Sequence, residues 1–397
     1  MRTLFTIVVA LIISHGLNAQ TPEVWYFEIE KRAAADIHVA LDLADSAAVL
    51  FPKNLHFEKQ RIGLLYQASD YEQLLKLSSA PGLRNIPEIA RYSALAAARL
   101  GDYALWKQWY THYLNLSGVY QDDEENAGFD FVQHGAPEVW LEFWKSYHPN
   151  PEKKRLCTAR KMIDQAKCFE AYMLLNDSSR HNCEELLLMS EALMCMGDTH
   201  AALRILSKAV KKYPDDAKLR YLHAIVLSKM GRPAQSFASF LIYMKQEPFS
   251  TTVWLMAAVE ANNCNKFNEA IGLYQQYMKF VGNIDNAVRY QYAQVLINAG
   301  DLAAALSVLD QLIEADAASV AVRVDRAGVR YRLKHYGDAF ADYMMALDVS
   351  PSNGEAWFNA GWCAYQLNNT EKACTCWQKA LHNKFPDAEA PLERYCK

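Results

Sequence analysis

Along residues 183 to 387 small and large apolar positions recur in one pattern that returns every 34 residues, with a single step of 35. The windows open at Cys183, Ala217, Thr251, Asn286, Val320 and Gly354. In each, the eighth residue is small: Ser190, Ala224, Ala258, Ala293, Ala327 and Gly361. The twentieth is small as well (Ala202, Ser236, Ala270, Ala305, Ala339 and Ala373), and four residues later the side chain is large in Leu206, Phe240, Tyr274, Leu309, Tyr343 and Trp377. Such columns fit two antiparallel helices: small residues let the backbones approach, and the large one fills the space a turn further along. A turn is predicted midway, at Met196-Gly197-Asp198, Met230-Gly231-Arg232, Ala299-Gly300-Asp301 and Leu367-Asn368-Asn369, where Gly or Asn takes the left-handed position that ends a helix. Pro214, Pro248 and Pro351 close three of the windows.

The same rhythm persists in weaker form upstream. Ala68-Ser69-Asp70-Tyr71 and Leu100-Gly101-Asp102-Tyr103 read as mid-hairpin turns of two degenerate hairpins, 55–86 and 87–118. An N-terminal helix from Pro22 to Phe51, stopped by Pro52, is predicted before them. From Ser117 to Pro151 the rhythm breaks into an acidic run (Asp122, Asp123, Glu124, Glu125), a glycine-bearing loop and an aromatic helix around Trp140, Phe143, Trp144 and Tyr147. Consecutive carboxylates do not alternate as calcium ligands do, so the run reads as a solvated loop. A helix from Pro151 to Leu175 should then pack on the first full window.

Residues 1 to 19 carry Arg2, an apolar run from Leu4 to Ile13 and a small residue at Ala19, the pattern of an export signal cleaved after Ala19 or, alternatively, after Gly16. The run is too short to span a bilayer; an uncleaved N-terminal anchor is the competing reading. The organisation expected is therefore a signal peptide (1–19), an N-terminal helical region (20–118), an irregular bridge (119–182), six repeats (183–216, 217–250, 251–285, 286–319, 320–353, 354–387) and a C-terminal tail (388–397). The mature chain is expected to be exported to a periplasm-like space, to the cell envelope or beyond, with no stable membrane insertion.

A net charge of −4 with interspersed signs leaves no basic footprint, so nucleic acid is not an expected partner. The nine cysteines are an odd number and show no framework in their spacing. Cys363 and Cys374 sit on the two arms of one hairpin and could bridge within about 7 Å, but most read as small buried side chains, and Cys396 in the tail is the expected free thiol. His181 and Cys183 lack a second ligand pair, so no metal is expected, nor any cofactor. No nucleophile elbow, phosphate loop, paired-histidine helix or glycine fingerprint occurs, and no catalytic residue is assigned.

The columns resemble the tetratricopeptide repeat family. Glu355-Ala356-Trp357-Phe358-Asn359-Ala360-Gly361 is similar to its first-helix signature and Asp338 to Leu347 to its second, whereas Arg289 and Arg323 stand where Trp254 and Trp357 supply a bulky fourth residue, and Gly282 and Ala317 replace the closing proline. The resemblance implies an all-α fold, an α-solenoid of helical hairpins, whose concave groove binds peptide segments of other proteins. The groove positions it implies are Tyr221, Leu255, Asn262, Tyr290, Gln291, Gln294, Asn298, Phe358, Asn359, Trp362 and Tyr365. Amides bond a peptide backbone of any sequence, and aromatics supply contact area at small entropic cost; the bland reading is that several aromatics only seal adjacent hairpins. The family's chaperone-binding branch clamps a C-terminal carboxylate with basic and asparagine residues, but Leu187, Glu191, Leu222, Thr252 and Met256 stand there, so that mode is not expected. The function implied is a non-catalytic interaction scaffold; the alternative is an envelope or secretion assembly part that acts through self-association or its convex face.

Overall fold

The computed structural model describes residues 21–117, 136–147, 150–177, 181–281, 284–316 and 319–396. The leader, the acidic run, Gly282 and Ala317 lie outside the described residues. Those described form 22 α-helices, one short 3-10 turn and no strand. They fall into two compact units that divide between Ser250 and Thr251.

In the first unit α1 (Pro22–Ala33) and α2 (Ile37–Leu50) form a hairpin, where one continuous helix was predicted. Asp36 makes the break: its carboxylate accepts from the amides of His38 and Val39 and so starts a new helix after Ala34 and Ala35. Trp25 and Ile29 of α1 then bury against Ala40, Leu43, Ala44 and Ala47 of α2. Next come α3 (Leu55–Gln67), α4 (Tyr71–Ser78), α5 (Pro87–Arg99), α6 (Tyr103–Ser117) and α7 (Pro137–Ser146). Trp140 and Phe143 of α7 complete an aromatic core with Trp106 and Tyr110 of α6.

The helix predicted from Pro151 to Leu175 is also two, α8 (Pro151–Asp164) and α9 (Cys168–Asn176), broken at Ala166, whose φ is +59°. A disulfide joins Cys168 to Cys195 with Cα atoms 6.0 Å apart, so these two cysteines are covalent ties and not merely packing side chains. The unit ends with α10 (Cys183–Cys195), α11 (Thr199–Lys212), α12 (Ala217–Lys229) and α13 (Pro233–Gln246). Past α13 the chain returns to the first helices of the unit, where Tyr26 of α1 stacks on Phe249 at 4.1 Å and His56 Nε2 of α3 lies 3.6 Å from Glu247 Oε2.

The second unit repeats the hairpin four times: α14 (Thr251–Asn263) with α15 (Phe267–Phe280), α16 (Asn286–Ala299) with α17 (Leu302–Ala315), α18 (Val320–Arg332) with α19 (Tyr336–Val349), and α20 (Gly354–Gln366) with α21 (Thr370–His382). Across both units the three columns of small and large residues are all buried. Where serine replaces alanine the hydroxyl is satisfied, since Ser236 donates to Ala224 O across the hairpin at 2.9 Å and Ser190 to Leu186 O at 2.7 Å. At the turns Gly197 and Gly300 both take φ of +82°, and the following Asp198 and Asp301 cap the second helix through the amides of Ala201 and Ala304.

After α21 a 3-10 turn (Pro386–Ala388) and α22 (Glu389–Tyr395) fold back on the last hairpin, so the segment read as a tail belongs to its core. Cys396 is consequently not free: it is bonded to Cys374 at a Cα separation of 5.6 Å, while Cys363, a suggested partner of Cys374, is a buried thiol. The sequence spacing hides this pair because the chain must first reverse at Phe385 and Pro386.

One buried group of the first unit sets a pH dependence. His223 of α12 lies between Ser207 of α11 (3.4 Å) and Ser239 of α13 (2.9 Å), and burial, with help from Arg220, lowers its pKa to about 4. A histidine lowered in the folded state binds fewer protons there than when unfolded, so its stabilisation is complete above the unfolded value of about 6.5 and is lost as pH falls toward 4. Denaturant midpoints for α11–α13, read by hydrogen exchange, should fall between pH 6.5 and 4, and less steeply in His223→Gln, which keeps polar contact with both serines but does not titrate. Equal slopes in the two proteins would remove His223 from the acid response.

Candidate functional site

In the second unit the first helices of successive hairpins are linked side chain to side chain. Asn298 Nδ2 of α16 donates to Asn262 Oδ1 of α14 at 3.1 Å, Tyr290 Oη of α16 donates to Asp325 Oδ2 of α18 at 2.7 Å, and Arg332 Nη1 of α18 donates to Ile297 O of α16 at 3.2 Å. These bonds put α14, α16 and α18 side by side with one polar row along them. Gln291, Gln294 and Asn298 are exposed on it, and Leu255, Asn262 and Tyr290 are half-buried. Burial first and Asp325 second push the Tyr290 phenol well above its ordinary range, so it stays protonated and keeps donating. Gln291 Oε1 accepts from Tyr274 Oη at 3.2 Å, and burial raises that phenol to about 12.

On α20 the picture differs. Phe358 lies 5.1 Å from the Phe385 ring, Trp362 is 5.1 Å from Trp377 and 6.1 Å from Tyr395, and Tyr365 is 4.7 Å from Tyr395. Three of the expected groove aromatics are thus covered by the chain's own C-terminal segment. Asn359 beside them is half-buried. Tyr221 belongs to the first unit, where its ring packs on Tyr243 of the same hairpin at 5.6 Å. The structure accordingly brings Asn262, Tyr290, Gln291, Gln294 and Asn298 into one row and gathers Phe358, Trp362 and Tyr365 into a separate aromatic cluster.

Asp325 was not foreseen, although it occupies the sixth place of its window, the column of Gln291 and Asn359. Behind the row, Arg326 and Arg330 of α18 bridge Asp310 of α17 and Asp342 of α19. Among the described residues no group of three histidine, cysteine or acidic side chains is placed to hold a metal ion. The first unit contains a cavity of about 590 Å³ at the ends of α8, α10 and α11, and its charged groups are paired: Arg155 with Glu185, and Glu152 with the Asn182 amide at 2.6 Å. A capping box in which Glu185 and Asn182 each bond the other's backbone amide holds the start of α10 there.

Residues 184–226 and 354–383 each match the tetratricopeptide repeat family. No curated protein matches the chain. Among solved structures, the C-terminal part of a TPR repeat-containing protein from Cytophaga hutchinsonii aligns at 14% identity and a TM-score of 0.48, covering 59% of this chain and 98% of its own. A tetratricopeptide repeat protein from Parabacteroides merdae aligns at 12% identity and 0.41, covering 62% and 98%. YrrB, described as a TPR protein with an unusual peptide-binding site, aligns at 19% identity and 0.40, covering 48% and 96%. With two segments matched to the family and six helical hairpins that repeat one set of small and large columns, the chain carries tetratricopeptide repeats.

Proposed function

We propose that this protein is a non-catalytic scaffold that holds extended peptide segments of partner proteins along the first-helix row of α14, α16 and α18. The observation that carries the reading is the set of bonds between neighbouring first helices, which fix Tyr290, Asn262 and Asn298 in one row, while Gln291, Gln294 and Asn298 remain exposed on it. Amide groups spaced along a rigid face bond successive peptide groups whatever the guest's side chains. Two disulfides support an exported location, since such bonds persist in oxidising spaces. Both agree with the apolar leader pattern of residues 4 to 13.

The test uses a displayed library of random twelve-residue peptides. Peptides selected on the wild type should bind Gln294→Ala/Asn298→Ala roughly tenfold or more weakly, about 1 kcal/mol for each lost hydrogen bond, while Met345→Ser on the exposed back of α19 binds them as before. Selected peptides that bind the double variant as tightly as wild type overturn the reading.

A further inference from the structure

The first-helix face is open at α16 and closed at α20, and the difference lies in the segment beyond α21. Phe385 covers Phe358, and Tyr395 lies over Trp362, Tyr365 and Trp377 with ring centroids 6.1, 4.7 and 6.0 Å away. The covering element is slight: α22 has seven residues, and Glu389, Ala390, Glu393 and Arg394 are exposed on it. A helix of that length does not hold itself together in water. Its inward side chains are few, Pro391, Leu392 and Tyr395, with Ala388 of the preceding turn buried beside them. Its far end, however, is fastened covalently to the middle of α21 through Cys396 and Cys374.

We propose that the Cys374–Cys396 disulfide is a latch that keeps α22 over the aromatic end of the first-helix face, and that its reduction by a dithiol uncovers Trp362 and Tyr365 as a continuation of the peptide-binding row. The inference rests on the proposed function for its binding half and on the fold alone for its opening half. In the reaction, a thiolate of the dithiol attacks one sulfur of the pair and forms a mixed disulfide, and the other protein cysteine leaves as a thiolate and takes up a proton. The second thiol of the dithiol then displaces the first protein cysteine. Two electrons and two protons pass to the protein, and the dithiol becomes a disulfide.

The neighbouring thiols do not short-circuit the exchange. Burial raises Cys363 to about 12 and Cys376 to about 11, so both remain unreactive thiols at neutral pH and leave the bond to an outside reductant. Closing a loop across 22 residues restricts the opened segment enough that cutting the tie should raise its open population roughly 10- to 100-fold.

The experiment uses the full chain and two readouts. Amides of α22 should exchange roughly 10- to 100-fold faster when the wild type is held in dithiothreitol, and equally fast in Cys396→Ser without reductant. Cys195→Ser, which lacks only the other disulfide, should respond to dithiothreitol as the wild type does. Twelve-residue peptides selected from the random library on Cys396→Ser should bind oxidised wild type at least tenfold more weakly, with dithiothreitol restoring the affinity. Unchanged exchange of α22 on reduction overturns the latch, and equal peptide affinity of oxidised and reduced protein overturns its control of binding. The exchange arm contains no peptide, so its failure is separate from failure of the Gln294 and Asn298 row.

Discussion

Asp342→Ala lowers the stability of the second unit by about 3 to 5 kcal/mol, the cost of leaving buried charges without their partner. Asp342 is 2% exposed and receives Arg326 through Nε and Nη2 at 2.9 and 2.6 Å and Arg330 through Nη1 at 2.8 Å; Arg323 lies 3.9 Å away. Burial opposes the Arg326 charge, yet Asp342 first and Asp310 second outweigh it and hold its pKa above the ordinary value. Without Asp342, Arg326 and Arg330 keep Asp310, whose side chain is 42% exposed and therefore screened. Asp310→Ala should cost less than about 1 kcal/mol for that reason. Urea melts of the two variants give the check, and equal losses would show that burial of Asp342 is not what gives the cluster its weight. Conversely, replacing Arg326, Arg330 and Asp342 together by apolar residues of similar volume should be far milder than removing Asp342 alone.

That cluster also shows where a sequence stops being informative. Arg323 stands out as a departure from the bulky fourth residue of its window, but its consequence depends on acids from other helices that no spacing rule assembles. The hairpins themselves were legible because their rule is steric and local. A small residue at the eighth and twentieth places and a large one four further on describe contacts inside a single hairpin, and each of the six windows opens on a helix. Turns at Gly197, Gly300 and Asn368 were readable since these residue types favour the left-handed region. Ala166 and Lys384 take the same conformation against type and gave no signal. The break at Asp36 was hidden for another reason: the surrounding alanines favour helix, and only the capping role of one carboxylate decides the stop. The resemblance set Gln291, Gln294 and Asn298 among the groove positions, and all three are exposed, but it could not reveal that Tyr395 returns over Trp362 and Tyr365, because α22 reaches them through a chain reversal.

Gly361→Ala destabilises the last hairpin by about 2 kcal/mol through overpacking, even though alanine is the better helix former by about 1 kcal/mol. A Cβ on Gly361 would stand 2.3 Å from Trp377 Nε1 and 2.5 Å from its Cδ1, far inside contact distance. The indole has nowhere to retreat: Trp377 is fully buried, Nε1 donates to Phe358 O at 3.2 Å, and Trp362 and Tyr395 close the other sides. In the preceding hairpin alanine at the same place, Ala327, faces the smaller Tyr343. Glycine and tryptophan at 361 and 377 are thus one fitted pair. Gly328→Ala gives the contrast, because its Cβ would meet only Tyr343 Oη at 3.6 Å and the substitution should be neutral or stabilising by up to about 1 kcal/mol. Trp377→Leu alone removes a large buried side chain and should cost about 3 kcal/mol or more. Combined with Gly361→Ala it should cost less than the sum of the two, because the new methyl group enters the space the indole vacates. Strictly additive losses in thermal melts of the four proteins would mean that α20 and α21 separate instead of repacking, and that the small column does not set their distance.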